Sequence, residues 1–125
     1  MEKQLSAKQL LGQAAEQAAC SYLTRHGLTL IARNFHARQG EIDLIMLDKD
    51  TLVFVEVRFR SRQDFGDAAS SVTRSKQQKI IATAHYFLHH HPNYGHLAAR
   101  FDVIAIHPQG QDWHIDWIPA AFLAA

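Results

Sequence analysis

The chain has 125 residues, 47% hydrophobic and 20% charged, which excludes a disordered chain and fits one domain spanning 1–125. Its formal net charge is +1 with nine histidines counted neutral, too small a bias to indicate nucleic acid, so any basic surface must come from local clustering. The lone Cys20 excludes an intrachain disulfide and suits a reducing compartment; with no apolar signal core and no run near the ~20 residues of a membrane span, the expectation is a soluble, cytoplasmic protein with no membrane partner.

Ser6 and Gln9 have capping-box spacing, with Leu5 and Leu10 at the staple positions, so a first helix begins there. Gly27, just after His26, marks its end. Leu11, Ala15, Ala18 and Tyr22 recur at helical spacing and predict one buried stripe. Thr29 to Phe35 reads as a strand, followed by a turn over "HARQG". "GEIDLIMLD" and "TLVFVEVRFR" are the second and third strands, joined tightly; "SRQDFGDAASSV" is a polar loop around Gly66. A second helix runs from about Thr73 to His90, with Ile80, Ile81, Ala84 and Leu88 on its apolar side, and Pro92, Asn93 and Gly95 end it. "RFDVIAI" is a fourth strand, and "DWHIDWI", alternating Trp113, Ile115 and Trp117, a fifth at an edge. The order α-β-β-β-α-β-β, a meander followed by a helical crossover, predicts an α/β domain with a mixed sheet flanked by helices.

The central hairpin holds two acids inside its most apolar stretch, and ionised acids are costly to bury without partners. A turn at Lys49-Asp50 pairs Ile42 with Val57, Leu44 with Val55 and Met46 with Val53 on one apolar face. The other face pairs Leu47 with Leu52, Ile45 with Phe54, Asp43 with Glu56 and Glu41 with Arg58. Facing carboxylates repel. A divalent cation between them turns repulsion into coordination, and carboxylate oxygens suit Mg²⁺. The competing reading leaves both acids in solvent on an uncovered face, bridged to Arg58 and Arg60.

Arg58, Arg60, Arg62, Arg74, Lys76 and Lys79 form the main basic cluster, and Arg33, His36 and Arg38 precede the hairpin. Cations of this kind contact nucleic-acid phosphates or form a solvated face. The "HHHP" run at 89–92 suits a helix C-terminus better than a metal, because adjacent histidines do not share a face. Asp102 is expected to make a structural hydrogen bond, Trp113 and Trp117 to be core or dimer contacts, Gln77 and Gln78 to be surface residues, and Cys20 to be a buried small hydrophobe.

"GQAAE" at 12–16, "RNF" at 33–35, "GEIDLI" at 40–45, "VFVEVRFR" at 53–60 and "RFDVI" at 100–104 resemble the YraN-like family of small bacterial proteins. That family is placed in the PD-(D/E)XK nuclease superfamily and is related to archaeal Holliday junction resolvases. The resemblance implies a restriction-endonuclease-like core and a metal-dependent endonuclease-like activity on the DNA backbone, with branched DNA a candidate substrate, Mg²⁺ or Mn²⁺ as cofactor and a homodimer as the assembly of resolvase-like members. It implies Asp43, Glu56 and the carbonyl of Val57 as metal ligands, with Glu16 as an additional acid from the first helix. Arg58 stands where the superfamily motif has Lys: it can hold phosphate but cannot act as a base, and Lys76 is the candidate stand-in. The expectation is therefore a Mg²⁺-dependent nuclease using Asp43, Glu56, Arg58 and Glu16, with Arg60, Arg62, Arg74, Lys76, Lys79 and Arg38 on DNA. The alternatives are a nucleic-acid-binding module without turnover and a protein-interaction domain.

Overall fold

The first helix, α1 (Ala7–Arg25), opens with the expected capping box: the Ser6 hydroxyl accepts from the Gln9 N–H at 3.1 Å and Gln9 Oε1 accepts from the Ser6 N–H at 2.8 Å. It closes with Gly27 at φ +95°, the Gly27 N–H donating to Thr24 O and the Leu28 N–H to Leu23 O. That is a Schellman end, and Leu23 and Leu28 pack together beneath it. This computed structural model describes residues 4–60 and 71–124; Arg62 and most of the polar loop around Gly66 lie outside the described residues.

After α1 the chain forms β1 (Thr29–Ala37), β2 (Gly40–Asp48), β3 (Thr51–Phe59), α2 (Arg74–His90), a 3₁₀ turn (Pro92–Tyr94), β4 (Ala98–Gln109) and β5 (Asp112–Phe122). The sheet order is β1-β2-β3-β4-β5, with β3 and β4 parallel and the other neighbours antiparallel. This is the mixed sheet with a helical crossover and an edge fifth strand that the element order predicted. Among the described residues no helix is long and apolar enough to cross a membrane.

Each face of the sheet carries its own buried core, centred on β2, β3 and β4. Ala15, Ala19 and Leu23 of α1 cover Leu44, Met46, Val53, Val55, Ile104 and Ile106. On the other face Ile80, Ala84 and Phe87 of α2 cover Ile42, Ile45, Leu52, Phe54, Phe101 and Val103. Burying one such side chain fully contributes roughly 1.5–3 kcal/mol. The α1 stripe is rotated from the expected one: Ala15 is buried and Ala18 and Tyr22 half-buried, but Leu11 is exposed, as is every residue from 4 to 11. The sheet underlies only the later turns, and alanine gives too weak a signal to orient a helix by pattern.

Strand β5 runs on through Pro119 to Phe122, beyond the predicted stop, with a register shift opposite Phe101–Val103. Phe122 stacks on Phe101 at 5.1 Å. Asp102, fully buried, holds this shift in place: its carboxylate accepts from Ala120 N at 2.9 Å, Trp117 Nε1 at 2.9 Å and Arg100 Nε at 3.0 Å. Arg100 also reaches Asp48 at 3.0 Å. The structural role expected for Asp102 is the one found.

Candidate metal centre

The β2–β3 hairpin has the predicted two-residue turn and the predicted pairs from Asp48/Thr51 to Leu44/Val55. Every second pair in such a ladder exchanges two main-chain hydrogen bonds, and after Leu44/Val55 the next would be Ile42/Val57. The ladder stops before reaching it. Ile42 packs under α2 together with Ile45, whereas Leu44 and Met46 pack under α1. The in-out alternation therefore slips by one at Asp43. On β1, Arg33 and Phe35 stay paired with Leu44 and Ile42, while Asn34 between them sits at φ +50°. Asparagine tolerates that left-handed conformation better than most side chains. The two strands turn over together at Asn34 and Asp43.

The slip puts the Asp43 carboxylate where the main chain of β2 would have been. Its Oδ2 accepts the Val57 N–H at 2.8 Å. A strand residue directs its N–H and C=O to the same edge, so the Val57 carbonyl opens into the same gap. Asp43 and Glu56 are thus neighbours at the hairpin's open end, but the unbroken register expected from the sequence is corrected: Asp43 is inserted beside β3 rather than stacked squarely across from Glu56. Glu41 is corrected too. It pairs with His36, its cross-strand partner on β1, at 3.2 Å, and not with Arg58.

Glu56 is 5% exposed, so it does not face solvent. Lys76 Nζ on α2 lies 3.0 Å from Glu56 Oε1, and Arg58 Nη1 lies 3.7 Å from the same oxygen. Arg58 Nη2 also donates to Ser71 O at 3.4 Å. Among the described residues no cation is paired with Asp43. Its pKa is pushed up to about 8 by burial and then by the charge of Glu56; the Val57 hydrogen bond opposes the rise, and Glu16 and Glu41 add to it. Glu16, half-buried on α1, thus acts on Asp43 through its charge. Among the described residues no group of three His, Cys, Asp or Glu side chains is placed to hold a metal ion. What the hairpin end offers is a carboxylate pair and a main-chain carbonyl, an all-oxygen donor set of the kind hard divalent cations take.

The basic cluster is divided by the fold. Lys76 and Lys79 line a groove of about 400 Å³ together with Thr73, Ser75, Gly40 and Glu41, beside Glu56. Gly40 is needed there, because a Cβ on it would stand 3.1 Å from Thr83 Oγ1, itself fixed by donating to Lys79 O at 2.7 Å. Arg38 is exposed in the β1–β2 turn next to this wall. Arg74 lies on another side of α2, lining a small cleft with Gln77, Gln78, Ile81 and Leu123. Arg60 is half-buried just past the end of β3, its N–H donating to Ile106 O at 2.8 Å. Arg62 is outside the described residues.

The remaining residues behave structurally. His90 and His91 each place Nδ1 against a carbonyl four residues back, at 3.0 and 2.9 Å, as expected of a helix end. Gln77 donates to Val72 O. Trp113 and Trp117 pack against the α1-side core, in which Cys20 is buried. A larger cleft of about 570 Å³, lined by Tyr22, Arg25, Asp112, Trp113 and His114, contains none of Glu16, Asp43 and Glu56. Sequence reasoning did not find the groove or the turning point at Asn34; the only signal for the latter is that Asn is a residue that accepts positive φ.

The chain belongs to the uncharacterised protein family UPF0102, whose model matches residues 15–106 and so takes in Glu16, Asp43, Glu56, Arg58 and Lys76. It is 47% identical over 119 residues to a UPF0102 protein of Alcanivorax borkumensis, covering 94% of this chain and 95% of that one. It is 53% identical over 111 residues to a UPF0102 protein of Saccharophagus degradans, covering 89% and 91%. A UPF0102 protein of Vibrio cholerae is 50% identical over 111 residues, covering 88% and 89%.

Proposed function

We propose that this UPF0102 member is a Mg²⁺- or Mn²⁺-dependent nuclease-like protein that acts on the phosphodiester backbone of DNA from a restriction-endonuclease-like core. One observation carries the reading: Asp43 is set into a break in the sheet against Glu56, where its charge is opposed by burial and by neighbouring acids. Strain of this kind clusters at functional sites. The likeness of "GEIDLI" and "VFVEVRFR" to the PD-(D/E)XK motif supports it.

Asp43, Glu56 and the Val57 carbonyl would hold the ion, and Glu16 would add negative charge behind it. A bound divalent ion supplies neutralisation of the scissile phosphate and a more acidic water for attack. Arg58 would donate to a phosphate oxygen, stabilising charge that develops in the transition state. Lys79 and Arg38 at the groove, with Arg60 and Arg74 beyond it, grip the flanking backbone.

A second reading, a nucleic-acid-binding module without turnover, is favoured by Arg58 in the motif's lysine position. A panel of labelled duplex, nicked, flapped and branched DNAs incubated with Mg²⁺ or Mn²⁺ decides. Cleavage by the wild type that is lost in the Asp43→Asn, Glu56→Gln double variant supports the nuclease. Binding without cleavage supports the module. Neither binding nor cleavage overturns both.

A further inference from the structure

The Lys76 ammonium pairs with Glu56 Oε1, an oxygen the metal reading needs for the cation. Its distance of 3.0 Å makes it the nearer of the two counter-ions, and the two are not held alike. Arg58, 30% exposed, is tied back to Ser71 O. Lys76 is 43% exposed, and among the described residues Glu56 is the acid it meets. Its stem leaves the first turn of α2, whose start is fixed by the Lys76 N–H donating to Thr73 Oγ1 at 3.2 Å. That turn carries Arg74 and Lys76 and no acid, which places positive charge at the positive end of the helix. Such an arrangement calls for anions. Glu56 is one, and the groove lined by Thr73, Ser75, Lys76 and Lys79 has room for another.

We propose that Lys76 is shared between two anions: it neutralises Glu56 while no nucleic acid is bound and moves to a backbone phosphate seated in the groove, freeing Glu56 for the metal, so that metal and nucleic acid bind cooperatively. This rests on the metal-dependent reading above and adds its order: an empty site resists metal, and substrate opens it. No bond is made or broken; one ion pair is exchanged for two.

The test is metal binding, not turnover. Mn²⁺ is titrated calorimetrically into nucleic-acid-free wild type, Lys76→Met and Lys76→Gln, the two variants keeping the stem and losing the charge. Both variants bind Mn²⁺ at least about fivefold more tightly than wild type, the lower end of ordinary coupling between sites. Equal or weaker binding overturns the proposal and makes Lys76 a fixed part of the site. A second measurement follows fluorescence anisotropy of a labelled DNA duplex in Ca²⁺ and in EDTA at matched ionic strength. Wild type binds DNA more tightly with the cation, and both variants lose that gain; an unchanged gain overturns the exchange. If no protein binds Mn²⁺ while all bind the duplex, the metal reading itself has failed and the proposal with it. Tight Mn²⁺ binding by wild type alone leaves the metal reading standing and removes only the exchange.

Discussion

Asp102 and Asp43 flank the same central strand, one opposite Val55 from β4 and the other bonded to Val57 from the β2 side. Their surroundings differ in kind. Asp102 receives Trp117 Nε1, the Ala120 N–H and the Arg100 guanidinium, so each oxygen has its donors and a cation balances its charge. Asp43 receives one N–H and stands among Glu56, Glu16 and Glu41. A buried acid with all its donors belongs to the scaffold, and one surrounded by acids calls for a cation from outside. The difference is in partners, since both acids sit in apolar strands that read alike.

The strongest way to break that comparison is to make the same change at both positions. Asp102→Asn puts an amide N–H₂ among groups that only donate and leaves Arg100 short of its partner. Breaking a buried pair in this way costs about 3–5 kcal/mol. Urea denaturation of the variant should show a loss on that scale with little change in slope. A loss within the range of a surface substitution would mean that the Asp102 network is not what holds the β5 register shift.

The next effect is a pH dependence of unusual sign. Burial and the neighbouring Glu56 push the Asp43 pKa up to about 8 in the folded chain, far above the ordinary carboxylate value of 3.8. Between those values the folded state holds a proton that the unfolded state has released, so metal-free stability falls as pH rises from about 4 to about 8. The contribution of this one group approaches about 1.4 kcal/mol per pH unit within the window. Thermal melts in EDTA across the window, wild type against Asp43→Asn, isolate it: the wild-type curve should fall relative to the variant as pH rises. Parallel curves would mean that Asp43 ionises freely in the fold.

Much of this was legible in the sequence because periodicity and turn length are strong constraints. The two-residue turn at Lys49-Asp50 and the alternation of Leu44, Met46, Val53 and Val55 determine the hairpin register up to Leu44/Val55. Ser6, Gln9 and Gly27 set the ends of α1 through local hydrogen bonds that need no tertiary context. The slip at Asp43 was not legible. It is a backbone event shared by two strands, with Asn34 absorbing the positive φ, and a pattern of residue types continues across it unchanged. The division of the basic cluster was hidden for a related reason: Lys76 and Arg74 are two apart in sequence but lie on different sides of α2. The fifth strand predicted from "DWHIDWI" stops short of Pro119, whereas β5 runs through it to Phe122, as an edge strand allows.

The smallest effect sharpens the comparison most. Asparagine at position 43 keeps an oxygen that can accept the Val57 N–H, so Asp43→Asn removes the need to take up a proton on folding while sparing that hydrogen bond. In EDTA at neutral pH the variant should be more stable than wild type by at least about 1 kcal/mol, the equivalent of one pKa unit. The sign is the point, because the same substitution at Asp102 destabilises. Mg²⁺ should then separate the proteins in the other direction. It stabilises the wild type by mass action, since the folded chain alone brings Asp43, Glu56 and the Val57 carbonyl together, and it does far less for the variant. Melting temperatures of the two proteins with EDTA and with Mg²⁺ give four values, and the reading requires both the crossing and its sign. If Asp43→Asn is instead destabilising in EDTA and Mg²⁺ moves neither protein, then Asp43 is a structural acid like Asp102, and its place in the break serves the hairpin alone.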